Sequence, residues 1–125
     1  MSNHNPLRVV FMGTPDFSVP TLEALIQAGH TIVGVYCQPD KQKGRGKQVQ
    51  MPPVKVAALK HNLPVYQPVT LRDEQVQAEL EALKPDVVVV IAYGKILPPW
   101  LELMRSYRVT EENLQLKRSV IVRYL

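Results

Sequence analysis

Asp86-Val87-Val88-Val89-Val90-Ile91-Ala92 carries five consecutive aliphatic side chains, four of them valine, directly after Pro85. β-branched residues in an unbroken run favour a strand. The run shows no alternation of apolar and polar residues, so both of its faces need cover. That places it near the centre of a parallel sheet. Just upstream, Asp73 to Lys84 opens with acids, closes with a lysine and sets Val76, Leu80 and Leu83 on one face. This predicts a helix that Pro85 stops. Pro64 to Tyr66 reads as a short strand. Pro52 and Pro53 suit the first turn of a helix built on Val54, Val56, Ala57, Ala58 and Leu59. Thr31 to Cys37 and Leu7 to Met12 read as two further strands, and Gly13-Thr14-Pro15 breaks the latter. Between them Val19, Leu22, Leu25 and Ile26 recur at helical spacing, with Asp16 as the expected N-cap and Gly29 as the C-cap.

The order is therefore β-α-β-α-β-α-β. It predicts an α/β fold with an open, mostly parallel, doubly wound sheet and right-handed crossovers. Gln38 to Met51 is expected to be a polar loop. Past the valine strand, Pro98 to Arg105 predicts a short helix carrying Trp100, Leu101 and Met104. From Ser106 onward the pattern weakens. Thr110 to Leu116 fits a helix and Ser119 to Leu125 a strand, yet neither glycine nor proline follows Pro99.

Composition bounds the function. The chain has 125 residues, 46% of them hydrophobic, which is enough for one domain with its own core. Cys37 is the single cysteine, which excludes an internal disulfide framework and a multi-cysteine zinc site, and no metal site is expected. The longest apolar runs are too short to span a bilayer, and Met1 to Pro6 does not read as a secretory leader. The expectation is a cytoplasmic protein with no membrane partner. The net charge of +4 is unevenly spread. Residues 38–55 carry Lys41, Lys43, Arg45, Lys47 and Lys55 against Asp40 alone, so their excess equals that of the whole chain. A localised basic stretch points to a polyanionic partner.

Ligands of open α/β sheets bind beyond the carboxyl ends of the strands. Three loops lie there. Gly13-Thr14-Pro15-Asp16-Phe17 lacks both the Gly-x-Gly-x-x-Gly dinucleotide fingerprint and a Walker-type pattern. From its residues alone it is a strand-to-helix turn. Lys41-Gln42-Lys43-Gly44-Arg45-Gly46-Lys47 reads either as a phosphate-contacting loop or as a solvated surface loop. Tyr93-Gly94-Lys95-Ile96-Leu97-Pro98 reads either as the wall of a pocket for a flat ligand or as packing at a strand-helix junction. His4, His30 and His61 all fall away from the carboxyl ends and read as surface residues. Cys37 reads as a buried structural thiol.

Taken in order and spacing, the motifs resemble one known family. They are Val9 to Pro20, Gln38-Pro39-Asp40 with Lys43 to Lys47, Pro52 to Lys55, Pro64 to Pro68, Pro85-Asp86, and Ala92 to Pro98. Over about residues 7–104 they resemble the start of the methionyl-tRNA formyltransferases. Such enzymes pass a formyl group from 10-formyltetrahydrofolate to the methionine amino group of initiator tRNA, in translation initiation. The resemblance implies a Rossmann-like domain, cytoplasmic and metal-free, with initiator methionyl-tRNA and a folate co-substrate as partners. It implies that Lys41, Lys43, Arg45 and Lys47 contact the acceptor end of the RNA, Arg45 foremost. It implies that Gly13, Thr14, Asp16 and Phe17 wall the aminoacyl end, and that Tyr93, Gly94, Ile96 and Leu97 form part of the folate pocket.

The chain departs from the family after Leu103. The family's catalytic asparagine, histidine and aspartate include the pattern Asn-x-His-x-Ser-Leu-Leu-Pro. Here Asn113-Leu114-Gln115-Leu116 is only an echo, and no aspartate follows Asp86. Hence no catalytic residue is assigned. Formyl transfer needs a proton acceptor for the amine and donors for the oxyanion, so losing them costs several orders of magnitude in rate. The expectation is that residues 1–104 are a partial formyltransferase domain, its sheet incomplete on the C-terminal side. Residues 105–125 are then a divergent tail, as a frameshift near Leu103 would produce. Such a fragment is expected to be inactive alone and monomeric, with an aggregation-prone free edge on the valine strand. The alternatives are a non-catalytic tRNA-binding fragment and a folate-dependent formyltransferase acting on a nucleotide or sugar amine.

Overall fold

Among the described residues the sequence forms six strands and four α-helices of more than two residues, with a seventh strand of two residues. The computed structural model describes residues 6–43, 48–102 and 106–108. In chain order the elements are β1 (Arg8–Met12), a 3-10 turn (Asp16–Ser18), α1 (Val19–Gln27), β2 (Thr31–Tyr36), β3 (Lys41–Lys43), β4 (Gln48–Gln50) and α2 (Pro53–Lys60). There follow β5 (Val65–Tyr66), α3 (Glu74–Ala82), β6 (Val87–Val90), α4 (Pro99–Glu102) and β7 (Ser106–Arg108).

The main sheet has the order β5-β2-β1-β6-β7, and every pair in it is parallel. The chain moves outward from β1 to β2 to β5, then returns to the far side of β1 with β6. A single handedness of crossover requires the helix of that return to lie on the opposite face. It does. The α1 and α2 residues Leu22, Leu25, Val54, Ala57 and Ala58 pack with Val9, Phe11, Val87 and Val89. Leu80 of α3 and Leu101 of α4 pack with Val10, Met12, Val88 and Val90. Alternate residues of β1 and β6 thus serve opposite cores, and all four valines of β6 are buried. The two-sided cover expected from the valine run is present.

Local chemistry closes the helices. Gly29 (φ 90°) ends α1 with Gly29 N–H donating to Ile26 O and His30 N–H to Leu25 O. Asn62 (φ 58°) ends α2 in the same way, through bonds to Leu59 O and Ala58 O. Both are Schellman closures. At α3, Asp73 accepts from Gln75 N–H as N-cap. Its far end is closed by Arg8, whose guanidinium donates to Leu83 O and Lys84 O. A cation there also suits the negative end of the helix dipole.

Several expectations are corrected. Asp16 does not cap α1: it opens the 3-10 turn, and α1 follows Ser18 without a side-chain cap. Pro20 sits in the first turn of α1 and brings no N–H to be capped. The segment expected as a polar loop contains the antiparallel pair β3–β4, with Lys41 opposite Gln50 and Lys43 opposite Gln48. Backbone pairing alone makes it, since only Val49 is a good strand former. The free edge expected on β6 is taken by β7, which pairs Ser106 to Arg108 with Val88 to Val90. The short helix after Pro98 spans Pro99–Glu102; Met104 and Arg105 lie outside the described residues, as do the expected helix at Thr110 to Leu116 and strand at Ser119 to Leu125.

Candidate functional site

The direction of chain travel reverses between β1 and β6, so the crevice beyond their carboxyl ends is the place to look. Three loops converge there and are sewn together by side chains bonding to backbone. Gly13 N–H donates to Tyr36 O at 3.0 Å, which joins the exit of β1 to that of β2. The Thr14 hydroxyl donates to Tyr93 O at 2.8 Å and accepts from Gln38 N–H at 3.2 Å. Thr14 O accepts from Val54 N–H at 3.2 Å. Because Pro52 and Pro53 have no N–H, Val54 supplies the first backbone donor of α2, and Thr14 uses it. The Ser18 hydroxyl, fully buried, donates to Ile91 O at 2.8 Å.

Two glycines make the approach possible. A Cβ on Gly13 would stand 2.9 Å from Ile91 O, from Phe11 Cε2 and from Ser18 Cβ. Gly94 holds φ 89°, and a Cβ there would stand 2.5 Å from Gln38 Nε2. That amide donates to Gly94 O at 2.8 Å. Gln38 therefore touches both neighbouring loops, Thr14 through its backbone and Gly94 through its side chain.

Behind Gln38 stands a polar cluster. Gln67, just past β5, donates to Gln38 O at 3.0 Å and to Asp40 Oδ1 at 2.6 Å. Lys55 of α2 donates to both Asp40 oxygens, at 3.1 and 2.9 Å. The Gln67 bond first, and the Lys55 bond next, hold the Asp40 carboxyl below its ordinary range. Asp40 immediately precedes β3, so the cluster sits at the root of the basic segment.

Cys37, Tyr36 and Tyr93 are buried. Burial pushes the Cys37 thiol up to about 11, with Asp40 adding to the shift and Lys55 opposing it. Burial also raises Tyr36 and Tyr93 above the ordinary phenol range. Neither phenol hydroxyl has a hydrogen-bond partner among the described residues. Tyr36 stacks on Tyr66 with ring centroids 4.9 Å apart. Among the described residues no group of histidine, cysteine, aspartate and glutamate could hold a metal ion. No described helix is long and apolar enough to cross a membrane.

A family model described as formyl transferase matches residues 7–110. The chain belongs to the formyl transferase family. It is 59% identical over 92 residues to a methionyl-tRNA formyltransferase of Alkaliphilus oremlandii, covering 74% of this chain and 30% of that one. It is 58% identical over 102 residues to one of Hydrogenovibrio crunogenus, covering 82% and 33%. A third, of Acidobacterium capsulatum, is 47% identical over 119 residues, covering 94% and 37%. The chain thus spans about a third of the length of the curated relatives it matches.

Within this formyl transferase chain the expected site residues separate into two kinds. Thr14 and Tyr93 are brought into direct contact, and Gly13 and Gly94 shape the contacts around them. The Tyr93 ring is turned into the core, so its loop faces the crevice through backbone. Asp16, Phe17 and Ile96 are exposed beside this knot, Phe17 at 61% and Ile96 at 76%. Leu97 is half-buried and packs on the α3–α4 core. Lys41 is exposed at the start of β3, and Lys43 closes that strand. Arg45 and Lys47 lie outside the described residues. The sequence assigned no site role to Gln38, Asp40, Gln67 or Ser18, and read Lys55 only as one of the five bases of residues 38–55. The available signal was position: Gln38 and Gln67 each follow closely on a strand's carboxyl end.

Proposed function

We propose that these residues are the N-terminal part of a methionyl-tRNA formyltransferase. The whole enzyme would pass a formyl group from 10-formyltetrahydrofolate to the methionine amino group of initiator tRNA. The observation that carries the reading is that the basic segment springs from the same knot that ties the two crevice loops together, through Gln38 and Asp40. An RNA held by Lys41, Lys43, Arg45 and Lys47 would deliver its end into the crevice between β1 and β6. Gly13, Thr14, Asp16 and Phe17 would then line the aminoacyl side, and Tyr93, Gly94, Ile96 and Leu97 the folate side. The relatives' name, methionyl-tRNA formyltransferase, supports methionyl-tRNA as the formyl acceptor.

The chemistry of the transfer is not carried by these loops. The Thr14 and Ser18 hydroxyls are engaged with backbone carbonyls, and the Cys37 thiol is buried. No aspartate follows Asp86, and no Asn-x-His pattern follows Leu103. We therefore read residues 1–104 as the partial domain and residues 105–125 as a divergent tail, the chain by itself acting as a monomeric binding platform. The test combines two assays on the 125-residue chain. Formylation of methionyl-tRNA should fall at least about a thousandfold below a full-length relative. RNA binding should weaken with salt, and the Arg45→Ala, Lys47→Ala double variant should flatten the log–log salt slope by about 1.5. Turnover near that of a full-length relative would overturn the inactivity. Formylation of an amino sugar or a glycinamide nucleotide, but not of tRNA, would replace the substrate.

A further inference from the structure

A carboxylate stands at the root of the basic segment, where electrostatics alone would not put one. Asp40 is the only acid between Glu23 and Asp73, and it directly precedes Lys41. Its charge repels phosphate and lowers the local positive potential. Yet it is the most heavily bonded side chain near the crevice. Lys55 reaches it from α2 through two bonds, and Gln67 reaches it from beyond β5 through a third. Gln67 also holds the backbone two residues before it, at Gln38 O. Three separate segments therefore meet at the point where the chain turns from β2 into β3. The ion pair is largely withdrawn from solvent, with side-chain exposures of 18% for Lys55 and 26% for Asp40. It follows that Lys55, one of the five bases of the segment, is committed internally.

We propose that Asp40, Lys55 and Gln67 form a positioning clamp that sets the direction of the β3–β4 pair, so that RNA binding by the basic residues depends on the Asp40 carboxylate. None of the three is a catalytic residue. The clamp fixes the stalk before the RNA arrives, and ordering it in advance removes an entropic cost that binding would otherwise bear. The second half of the proposal rests on the RNA reading given above; the first half does not.

The sign of one substitution separates positioning from charge. Asp40→Asn removes an acid beside the basic residues and raises the net charge by one. If charge alone mattered, RNA would bind more tightly. If the clamp matters, RNA binds more weakly. Gln67→Met removes the amide bonds with no change in charge. Both variants of the 125-residue chain are compared with wild type by binding of a short single-stranded RNA oligonucleotide at fixed salt and by the rate of tryptic cleavage within Lys41 to Lys47. Circular dichroism melts verify that each variant is folded. The expected result is that both variants bind RNA about 3- to 10-fold more weakly and are cleaved severalfold faster. Unchanged or tighter RNA binding by Asp40→Asn overturns the dependence of binding on the clamp. Wild-type cleavage rates in both variants overturn the clamp itself. If wild-type binding ignores the Arg45→Ala, Lys47→Ala change, the RNA reading fails, and the cleavage rates alone then decide the clamp.

Discussion

The turn after β1 and the segment after β2 leave neighbouring strands at the same edge of the sheet, but they are held by different physics. Gly13 to Ser18 is fixed at its two buried ends, Gly13 and Ser18, while Asp16 and Phe17 between them are exposed. Its glycine has no room for a methyl group, and the hydroxyls of Thr14 and Ser18 are bonded to backbone carbonyls of the β6 exit. The segment leaving β2 is buried at Cys37 and exposed at Lys41 and Gln42; among the described residues it is tied to α2 and to the exit of β5 by the Lys55–Asp40 ion pair and the Gln67 amide, and β3 pairs with β4 beyond. A buried turn is determined by steric exclusion, where an error of one carbon is expensive. An exposed stalk is determined by a few polar contacts in partial solvent, where each contributes little to global stability. One region therefore shapes the crevice, and the other can be retuned without unfolding the protein.

This contrast is breakable by mutation. The largest effect belongs to Gly13→Ala, whose methyl group would meet three atoms at 2.9 Å, one of them the backbone oxygen of Ile91. A loss of about 2–3 kcal/mol is expected from the urea denaturation midpoint, because overpacking here has no flexible neighbour to displace. Next comes Thr14→Val, which keeps the shape and deletes the hydroxyl that serves Tyr93 O and Gln38 N–H. Its expected cost is about 1–2 kcal/mol by the same measurement, and a neutral result would show that the loops are held by packing alone.

Tyr36→Phe and Tyr93→Phe probe the same contrast from the opposite side. Each deletes a buried hydroxyl with no hydrogen-bond partner among the described residues. The expected change is between zero and a gain of about 1 kcal/mol, since no bond is lost and a desolvation penalty is removed. A clear loss of stability in either variant would reveal a partner for that hydroxyl in solution.

The smallest global effect belongs to Asp40. Its carboxyl is held below the ordinary range by Gln67 first and Lys55 next, so the folded state binds its proton more weakly than the unfolded state does. Its contribution is then complete above the ordinary carboxylate range and disappears as pH falls through the lowered value. The side-chain amide resonance of Gln67, followed by NMR, should titrate with a midpoint below 3.8, the value of an unperturbed aspartate. A midpoint at or above that value would mean that the clamp is open in solution.

Much of this was legible in advance because it is local. The four parallel strands from Leu7 to Ala92 and the three helices between them follow from periodicity, from proline and from the valine run. The C-cap at Gly29 followed from one residue. The failures share a cause. Ser106 to Arg108 became a strand because β6 offered it an open edge, and nothing in Ser-Tyr-Arg announces that. The β3–β4 pair is lysine and glutamine around one valine, Val49, and its order comes from backbone pairing rather than side-chain pattern. Asp16 lost its expected capping role because the chain between it and Val19 took a 3-10 turn.

The site shows the same division. Its basic residues and its loops were visible in the sequence because charge excess and strand endings are one-dimensional properties. The α/β order, the two-sided burial of β6 and the concentration of positive charge in residues 38–55 can be read from the amino-acid sequence alone. The tertiary structure alone decided that Gln38 bridges Thr14 and Gly94, that Gln67 and Lys55 meet on Asp40, and that the Tyr93 ring turns into the core. These hydrogen bonds join residues 15 to 56 positions apart in the chain, once the carboxyl ends of β1, β2, β5 and β6 have been brought to one edge. Propensity acts over a few neighbouring residues and is silent at such distances. Side-chain hydrogen bonds across loops exist only after the sheet has assembled around them.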